Sequence, residues 1–304
     1  SGIIKSARMA WELASHPTHQ QHLMSAKVIK GLVIACSVSS FIASGTAAGA
    51  ISHIIHYSNE ELRTLLLKNG ALIGLLKQLR NKNIPRASDE MMRLHSISGL
   101  CCEIDRRGPG GAKEILDAMN TNSMKTLNII RIIVLICTTG VKDVVISGAC
   151  ALLSRLLPHS TSEAISEAGT SLTYLDHHDC IKLGLWALCA LARSNQGKFD
   201  ILKPRTVVLH KGGELYHTKN NLMKRLIHLG ELMIVSNKGK KISNADDGRK
   251  EQIKFLSMAF WNFSSASISK DSTKNDKIQS IIQDNGNVNN NKNNSNKNND
   301  NDND

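Results

Sequence analysis

The chain has 304 residues, a formal net charge of +12, 41% hydrophobic residues and only 4% aromatic residues. This hydrophobic fraction suffices for a continuous core, and the scarcity of aromatic rings suits short helices that stack closely. A surface this basic favours acidic peptides, nucleic acid or anionic lipids as partners, and it disfavours strongly basic ligands.

Cysteine usage and hydropathy indicate where such a chain resides. The longest apolar run, residues 128–137, is too short to span a bilayer and contains Arg131. The seven cysteines lie mostly in apolar helical runs, where cysteine behaves as a small hydrophobic residue. Their odd number and the lack of a signal-peptide pattern argue against a disulfide framework. We therefore expect a protein of the cytoplasm or the nucleus with no transmembrane segment.

Six short segments of small and apolar residues recur along the chain, each at the predicted end of a helix. They begin at Ala10, Ala50, Gly99, Val134, Ala187 and Ala259. Their first residues are 40, 49, 35, 53 and 72 positions apart. A helical unit that recurs about every 40 residues predicts a solenoid, in which each repeat contacts only its neighbours.

The residues between these segments predict a short helix that ends at a glycine, followed by a longer helix. Residues 65–70 and 71–79 have this pattern, and residues 142–148 and 149–157 repeat it. Gly148 is predicted to end the short helix in the left-handed conformation, which glycine adopts without strain.

The sequence of these helices resembles the armadillo repeat. Residues 184–192, GLWALCALA, are similar to its third helix, and residues 257–264 carry Asn262 at the position of its characteristic asparagine. Residues 69–76 and 147–153 are similar to the start of its second helix. The resemblance covers about residues 3–286. HEAT repeats share this architecture, but the short helix before the glycine favours the armadillo type.

The resemblance implies an all-α, right-handed α-solenoid of about five armadillo-like repeats within residues 1–268. Insertions are predicted near residues 160–176, where an extra or degenerate half-repeat fits, and near 203–220 and 236–250. Residues 269–284 have the pattern of a further repeat. Residues 285–304 contain 12 asparagines in 20 positions, so we expect a disordered tail that cannot bury enough apolar surface to fold.

Motifs for catalysis, metals and cofactors are missing from the sequence. It has no nucleophile elbow, P-loop, dinucleotide fingerprint or zinc-finger spacing. Cys101 and Cys102 follow His95, but cysteines in an apolar helix are normally inert. A GxxxG pattern at Gly45 and Gly49 indicates close helix packing. We therefore predict a protein that is not an enzyme and has no metal or cofactor.

The family resemblance places a binding groove on the concave face, along the third helices. In nuclear-import receptors of this fold, a Trp and an Asn four residues later hold an extended peptide. Here Trp186 is followed by Ala190, and Asn262 is preceded by Met258, so the paired ladder is broken. Because an import receptor also needs an acidic groove, this function is kept only as a second alternative.

The preferred interpretation is a scaffold or adaptor that binds an extended acidic protein segment on its concave face. Four cations are predicted to project from successive third helices as a ladder: Arg93, Lys125, Lys182 and Lys254. Nucleic acid bound through its backbone is the first alternative, although aromatic residues interleaved with cations, which RNA readout requires, are missing. The predicted partner-binding residues are Arg93, His95, Lys125, Lys182, Trp186, Lys254 and Asn262.

Overall fold

The computed structural model describes residues 2–84, 86–120, 125–194, 197, 201, 206–211, 214–219, 222–235, 254–255 and 257–258. The first helices are α1 (Gly2–Ser15), α2 (Ala26–Ala35), α3 (Phe41–Tyr57), α4 (Glu60–Lys68), α5 (Ala71–Arg80) and α6 (Arg93–Arg107). They are followed by α7 (Gly111–Asn120), α8 (Thr126–Thr139), α9 (Asp143–Leu156), α10 (Ser162–Thr173), α11 (His178–Leu191) and α12 (Leu222–Val235). None of the described helices is long and apolar enough to cross a membrane.

The helices form two parallel rows. In the long-helix row, each of α1, α3, α6, α9 and α11 packs against the next. In the middle-helix row, α2, α5, α8 and α10 pack in the same order. A short element precedes each of the first three middle helices: the 3₁₀ segment Pro17–Leu23, then α4, then α7. The chain is therefore an α-solenoid with an armadillo-like repeat of a short, a middle and a long helix, as predicted.

The junction between α4 and α5 shows how the sequence sets the repeat. The side chain of Asn59 accepts a hydrogen bond from Leu62 N at 2.9 Å, which caps the start of α4. Gly70, with φ +87°, separates α4 from α5 in the left-handed conformation. Glycine adopts this conformation without a steric penalty. The predicted break after residues 65–70 is confirmed.

The corresponding prediction for α9 is wrong. Residues 143–156 form one continuous helix, and Gly148 lies inside it rather than at a left-handed cap. A Cβ at Gly148 would lie 3.1 Å from Leu94 Cδ2 and 3.5 Å from Ile97 Cγ2, so this glycine lets α6 and α9 approach closely. Because α9 packs between α6 and α11, it belongs to the long-helix row. The apolar segment at Val134, predicted as a third helix, lies in α8 of the middle-helix row.

Two of the predicted insertions have defined structure. The half-repeat predicted near residues 160–176 is α10, which packs on α8 and α11 as the middle helix of a fourth repeat. Within the segment 203–220, strands β1 (Thr206–Lys211) and β2 (Glu214–Lys219) pair antiparallel, with Thr206 opposite Lys219. Within the described residues, this hairpin interrupts a succession of helices. Residues 236–250 and the predicted tail lie outside the described residues.

Helix α3 is buried along most of its length because its side chains are small. A Cβ on Gly45 would lie 2.6 Å from Met92 Cβ, and one on Gly49 would lie 2.7 Å from Trp11 Cη2. Side chains from α1 and from the segment before α6 therefore cross α3 where it has none. Trp11 reaches His95 of α6, with ring centroids 4.8 Å apart and planes at 82°. The close packing predicted from the GxxxG pattern is confirmed.

Buried charges connect neighbouring elements. Glu103 of α6 is 1% exposed and pairs with Arg63 of α4 at 3.0 Å and with Arg107 at 2.7 Å. Glu90 is 2% exposed, and its carboxylate accepts hydrogen bonds from Val141 N at 2.9 Å and from Lys142 N at 3.0 Å. Glu90 therefore holds the two residues that lead into α9 from the preceding repeat, close to the helix N-terminus, where the helix dipole favours a negative charge.

Gly49→Ala should destabilise the protein by about 1–3 kcal/mol, because the added methyl group overpacks the contact with Trp11. The matched control is Gly31→Ala in α2, where a Cβ would meet nothing within 4 Å. The control should be neutral or stabilising, because alanine favours a helix interior. Urea unfolding followed by circular dichroism measures both. Equal stability of the two variants would contradict the close contact over α3.

Glu103→Ala should lower the free energy of unfolding by about 1–3 kcal/mol, because it removes the buried carboxylate that Arg63 and Arg107 share. The two arginines then keep only their exposed partners, Glu60 and Glu114. Glu60→Ala is the control, since Glu60 contacts the same Arg63 from a position 70% exposed. We expect a much smaller change for this control, because exposed pairs contribute little. Similar losses for the two variants, measured by thermal unfolding, would disprove a special role for the buried carboxylate.

Candidate functional site

Polar side chains connect successive helices on the exposed side of the long-helix row. His56 Nε2 of α3 and Ser98 Oγ of α6 lie 2.9 Å apart and share a hydrogen bond. Arg106 of α6 donates to the backbone carbonyl of His56 at 2.8 Å. Arg155 of α9 donates two hydrogen bonds to Asp105, at 2.8 and 2.9 Å. The line of polar groups therefore runs across three adjacent repeats.

A cleft opens between the C-terminal halves of α3 and α6. Its volume is about 370 Å³ and it is open to solvent. We call this surface the α3–α6 cleft; it is lined by His56, Ser98, Cys101, Cys102, Asp105 and Arg106. It combines a cation, a carboxylate, a hydroxyl, an imidazole and two thiols. Such a mixture can hold a peptide-like ligand by hydrogen bonds and partial burial.

The electrostatics of the cleft are set by two arginines and one carboxylate. Hydrogen bonds from Arg155 lower the pKa of Asp105, so this carboxylate is ionised and engaged. Arg106 is exposed, and one nitrogen of its guanidinium group, Nη2, donates a hydrogen bond to the His56 carbonyl. Among the lining residues Arg106 and Asp105 carry opposite charges, and Asp105 is already paired with Arg155. Arg106 is therefore the exposed cation of the cleft that a ligand can meet.

The cleft does not have the arrangement needed for nucleophilic catalysis. Ser98 and His56 are close enough for a nucleophile and its base, but Ser98 lies within α6. The backbone N–H groups around it are used by the helix and cannot form an oxyanion hole. Burial raises the pKa of Cys101 to about 11, so the thiol is protonated at neutral pH.

Arg93 does not occupy the predicted position on a binding surface. Its side chain is 5% exposed, lies 3.6 Å from Glu90 Oε1 and donates to the carbonyl of Asn81 at 3.4 Å. Burial lowers its pKa, although the nearby Glu90 favours the charge. Arg93 therefore supports the packing between repeats and is too buried to be one of the exposed cations that bind a ligand.

His95 is half-buried against Trp11, and burial lowers its pKa, so at neutral pH it does not add a positive charge to the surface. A partner-binding role for His95, as the sequence predicted, therefore cannot depend on a positive charge.

The remaining predicted residues are spread over different parts of the fold. Lys125 is exposed immediately before α8 and belongs to the middle-helix row. Lys182 and Trp186 lie one turn apart on α11 and are half-buried. Lys254 is exposed in a helical segment, and Asn262 lies outside the described residues. The four predicted cations therefore do not form one ladder along the long-helix row.

Sequence reasoning missed the residues of the α3–α6 cleft. Ser98, Cys102 and Arg106 follow one another at intervals of four, which is the spacing of one helix face. The signal that could have identified the cleft is this polar stripe on a helix whose opposite face is apolar.

Comparisons with known proteins give structural similarity only. No protein-family model matches the sequence, and no curated protein matches it significantly. Two engineered proteins of the Northeast Structural Genomics Consortium share 16% identity with it at a TM-score of 0.46; each alignment covers 86% of this chain, and 92% or 90% of the other. A designed armadillo repeat protein, solved in complex with the peptide (KR)4, shares 16% identity at a TM-score of 0.44, over 86% of this chain and 98% of that one.

Alkylation of Cys101 should be about a hundredfold slower at pH 8 than that of an ordinary cysteine, because its pKa is about 11 rather than 9. The rate should continue to rise with pH up to about pH 11. Peptide mass spectrometry after iodoacetamide treatment measures this rate, with the urea-unfolded chain as control. A rate that levels off below pH 9 would show an activated thiol and would reopen the question of catalysis at the cleft.

Proposed function

We propose that this chain is a protein-binding scaffold that holds an extended segment of another protein along its long-helix row, with the α3–α6 cleft as the main contact. The observation that supports this most directly is the line of hydrogen-bonding groups across α3, α6 and α9. Groups spaced along successive repeats suit a ligand that is itself extended, because each repeat then contacts a different part of it.

The exposed arginine of the cleft supports an acidic partner. Arg106 is exposed at its rim, and Arg155 already holds the carboxylate of Asp105 in a bidentate pair. A partner carboxylate can bind Arg106 in the same way, since the guanidinium fork matches carboxylate geometry. The net charge of +12 would in addition attract an acidic segment before contact.

An aromatic residue at the edge of the cleft supplies apolar contact area. Tyr57, at the end of α3, is 68% exposed. Its ring lies 4.5 Å from that of His53 and 5.6 Å from that of His56, measured between centroids. Exposed tyrosines held by neighbouring rings are common centres of binding energy at protein interfaces. The proposed ligand therefore carries an apolar or proline residue next to its acidic ones.

Reversing the charge of Arg106 tests this function. Arg106→Glu should weaken binding of a fluorescein-labelled Glu-rich peptide about three- to tenfold, because an attractive pair becomes a repulsive one. Lys77→Glu is the matched control: Lys77 is exposed on α5 of the middle-helix row, and its reversal changes the net charge equally. Fluorescence anisotropy at fixed salt measures both variants.

The outcomes separate the alternatives. Equal weakening by Arg106→Glu and Lys77→Glu would mean that only net charge matters, and the cleft would then not be the binding site. A single-stranded RNA of matched length is included in the same titration. Tighter binding of RNA than of peptide, with a steep dependence on salt, would favour the nucleic-acid function instead.

A further inference from the structure

Three cysteines that are far apart in the sequence meet between the third and fourth repeats. Cys137 lies on α8, Cys150 on α9 and Cys180 in the first turn of α11. The sulfur of Cys150 lies 3.9 Å from that of Cys137 and 3.5 Å from that of Cys180. All three sulfurs lie within 4.8 Å of one another, and all three residues are buried. We call this group the cysteine triad.

The spacing of the triad is that of metal ligands. A zinc ion with Zn–S bonds of about 2.3 Å in tetrahedral geometry separates its sulfur ligands by about 3.8 Å. The two nearest sulfur separations lie within a few tenths of an ångström of that value. A disulfide needs about 2.05 Å, so forming one would require the sulfurs to move much further.

We propose that the cysteine triad binds a structural zinc ion that joins α8, α9 and α11, with His177 as its fourth ligand. The triad supplies three thiolates, and closed structural zinc sites take four protein ligands.

His177 has the chemistry and the position for the fourth ligand. It is the N-cap residue of α11, three positions ahead of Cys180, and its side chain makes no capping hydrogen bond. Its Nδ1 atom is buried and has no hydrogen-bond partner in the described part of the protein. The ring does not belong to the sulfur group as the structure stands, so coordination requires a rotation of this side chain. Ligation would satisfy a buried nitrogen that is otherwise costly.

The surroundings hold the triad in place. Ser147 Oγ, one turn before Cys150, donates to Asp179 at 2.6 Å, and Asp179 precedes Cys180. This bond fixes α9 against the first turn of α11, as outer-shell hydrogen bonds do around metal ligands. Cys180 is the third residue of α11, where the positive end of the helix dipole favours a thiolate.

The reaction is a simple exchange of protons for metal. Zn²⁺ replaces three thiol protons, which go to solvent, and four bonds form to three sulfurs and one imidazole nitrogen. No electron is transferred. With Zn²⁺, three thiolates and a neutral imidazole, the site has a net charge of −1. The adjacent helix N-terminus partly offsets this charge. Because the site is buried, the ion enters as the chain folds.

The experiment uses the full chain, unfolded and stripped of metal under reducing conditions, then refolded with one equivalent of Zn²⁺ or with a chelator. Gel filtration and elemental analysis give the zinc retained, and Co²⁺ replaces Zn²⁺ to report geometry by absorption. Cys150→Ala removes the central sulfur. Cys36→Ala is the matched control, because Cys36 is equally buried but outside the triad.

The unmodified chain and Cys36→Ala should each retain one zinc ion per chain, and Cys150→Ala should retain less than a tenth of that amount. Zinc should raise the midpoint of thermal unfolding in the first two proteins only. His177→Ala should weaken zinc binding about tenfold or more. Circular dichroism checks folding, and Cys137→Ser, which preserves the size of the side chain, should lose zinc if Cys150→Ala fails to fold.

Several results would overturn the proposal. Zinc retained by Cys150→Ala or Cys137→Ser at the level of the unmodified chain would exclude the triad as the site. An octahedral cobalt spectrum would exclude thiolate ligation. A Cys150–Cys180 disulfide in the isolated chain would show that these sulfurs serve as a redox pair. Unchanged affinity in His177→Ala would exclude the fourth ligand.

Discussion

The arrangement of the long-helix row depends on the absence of side chains at two positions of α3. At Gly45 and Gly49 the surface of α3 is bare backbone, and Met92 and Trp11 occupy the space that Cβ atoms would take. The helices α1, α3 and α6 therefore pack together as one layer, in which α1 also contacts α6 across α3. This explains why the ring of Trp11 can reach His95, two helices away along the row.

The same packing determines where a ligand can approach. Trp11 and Met92 cover the middle of α3, and the polar cleft lies where α3 ends, at His56 and Tyr57. In α3 the small residues precede the polar ones. The helix therefore packs tightly along its small residues and borders an open polar cleft at its C-terminal end. The positioning of the candidate site is thus a direct result of the composition of α3.

Local signals made much of the fold predictable, whereas contacts between distant residues were not. The left-handed Gly70 and the apolar pattern of α11 were read correctly because each is determined within about one helical turn. Gly148 was misread because a glycine that permits close helix contact looks the same in sequence as one that ends a helix. The buried site of Arg93 is completed by Asn81, twelve residues earlier, and the cysteine triad brings together positions up to 43 residues apart. Contacts of this span extend beyond the single helical turn from which a local pattern can be recognised.

The contact that Glu90 makes just before α9 has a direction in the chain. The carboxylate is 51 residues ahead of Val141, the first backbone amide that it receives. During synthesis on the ribosome, the group that stabilises the start of α9 is therefore already made, and its own repeat can fold, before α9 emerges. At this junction, an earlier repeat supplies the polar partner of a later helix, which suits assembly in the order of synthesis.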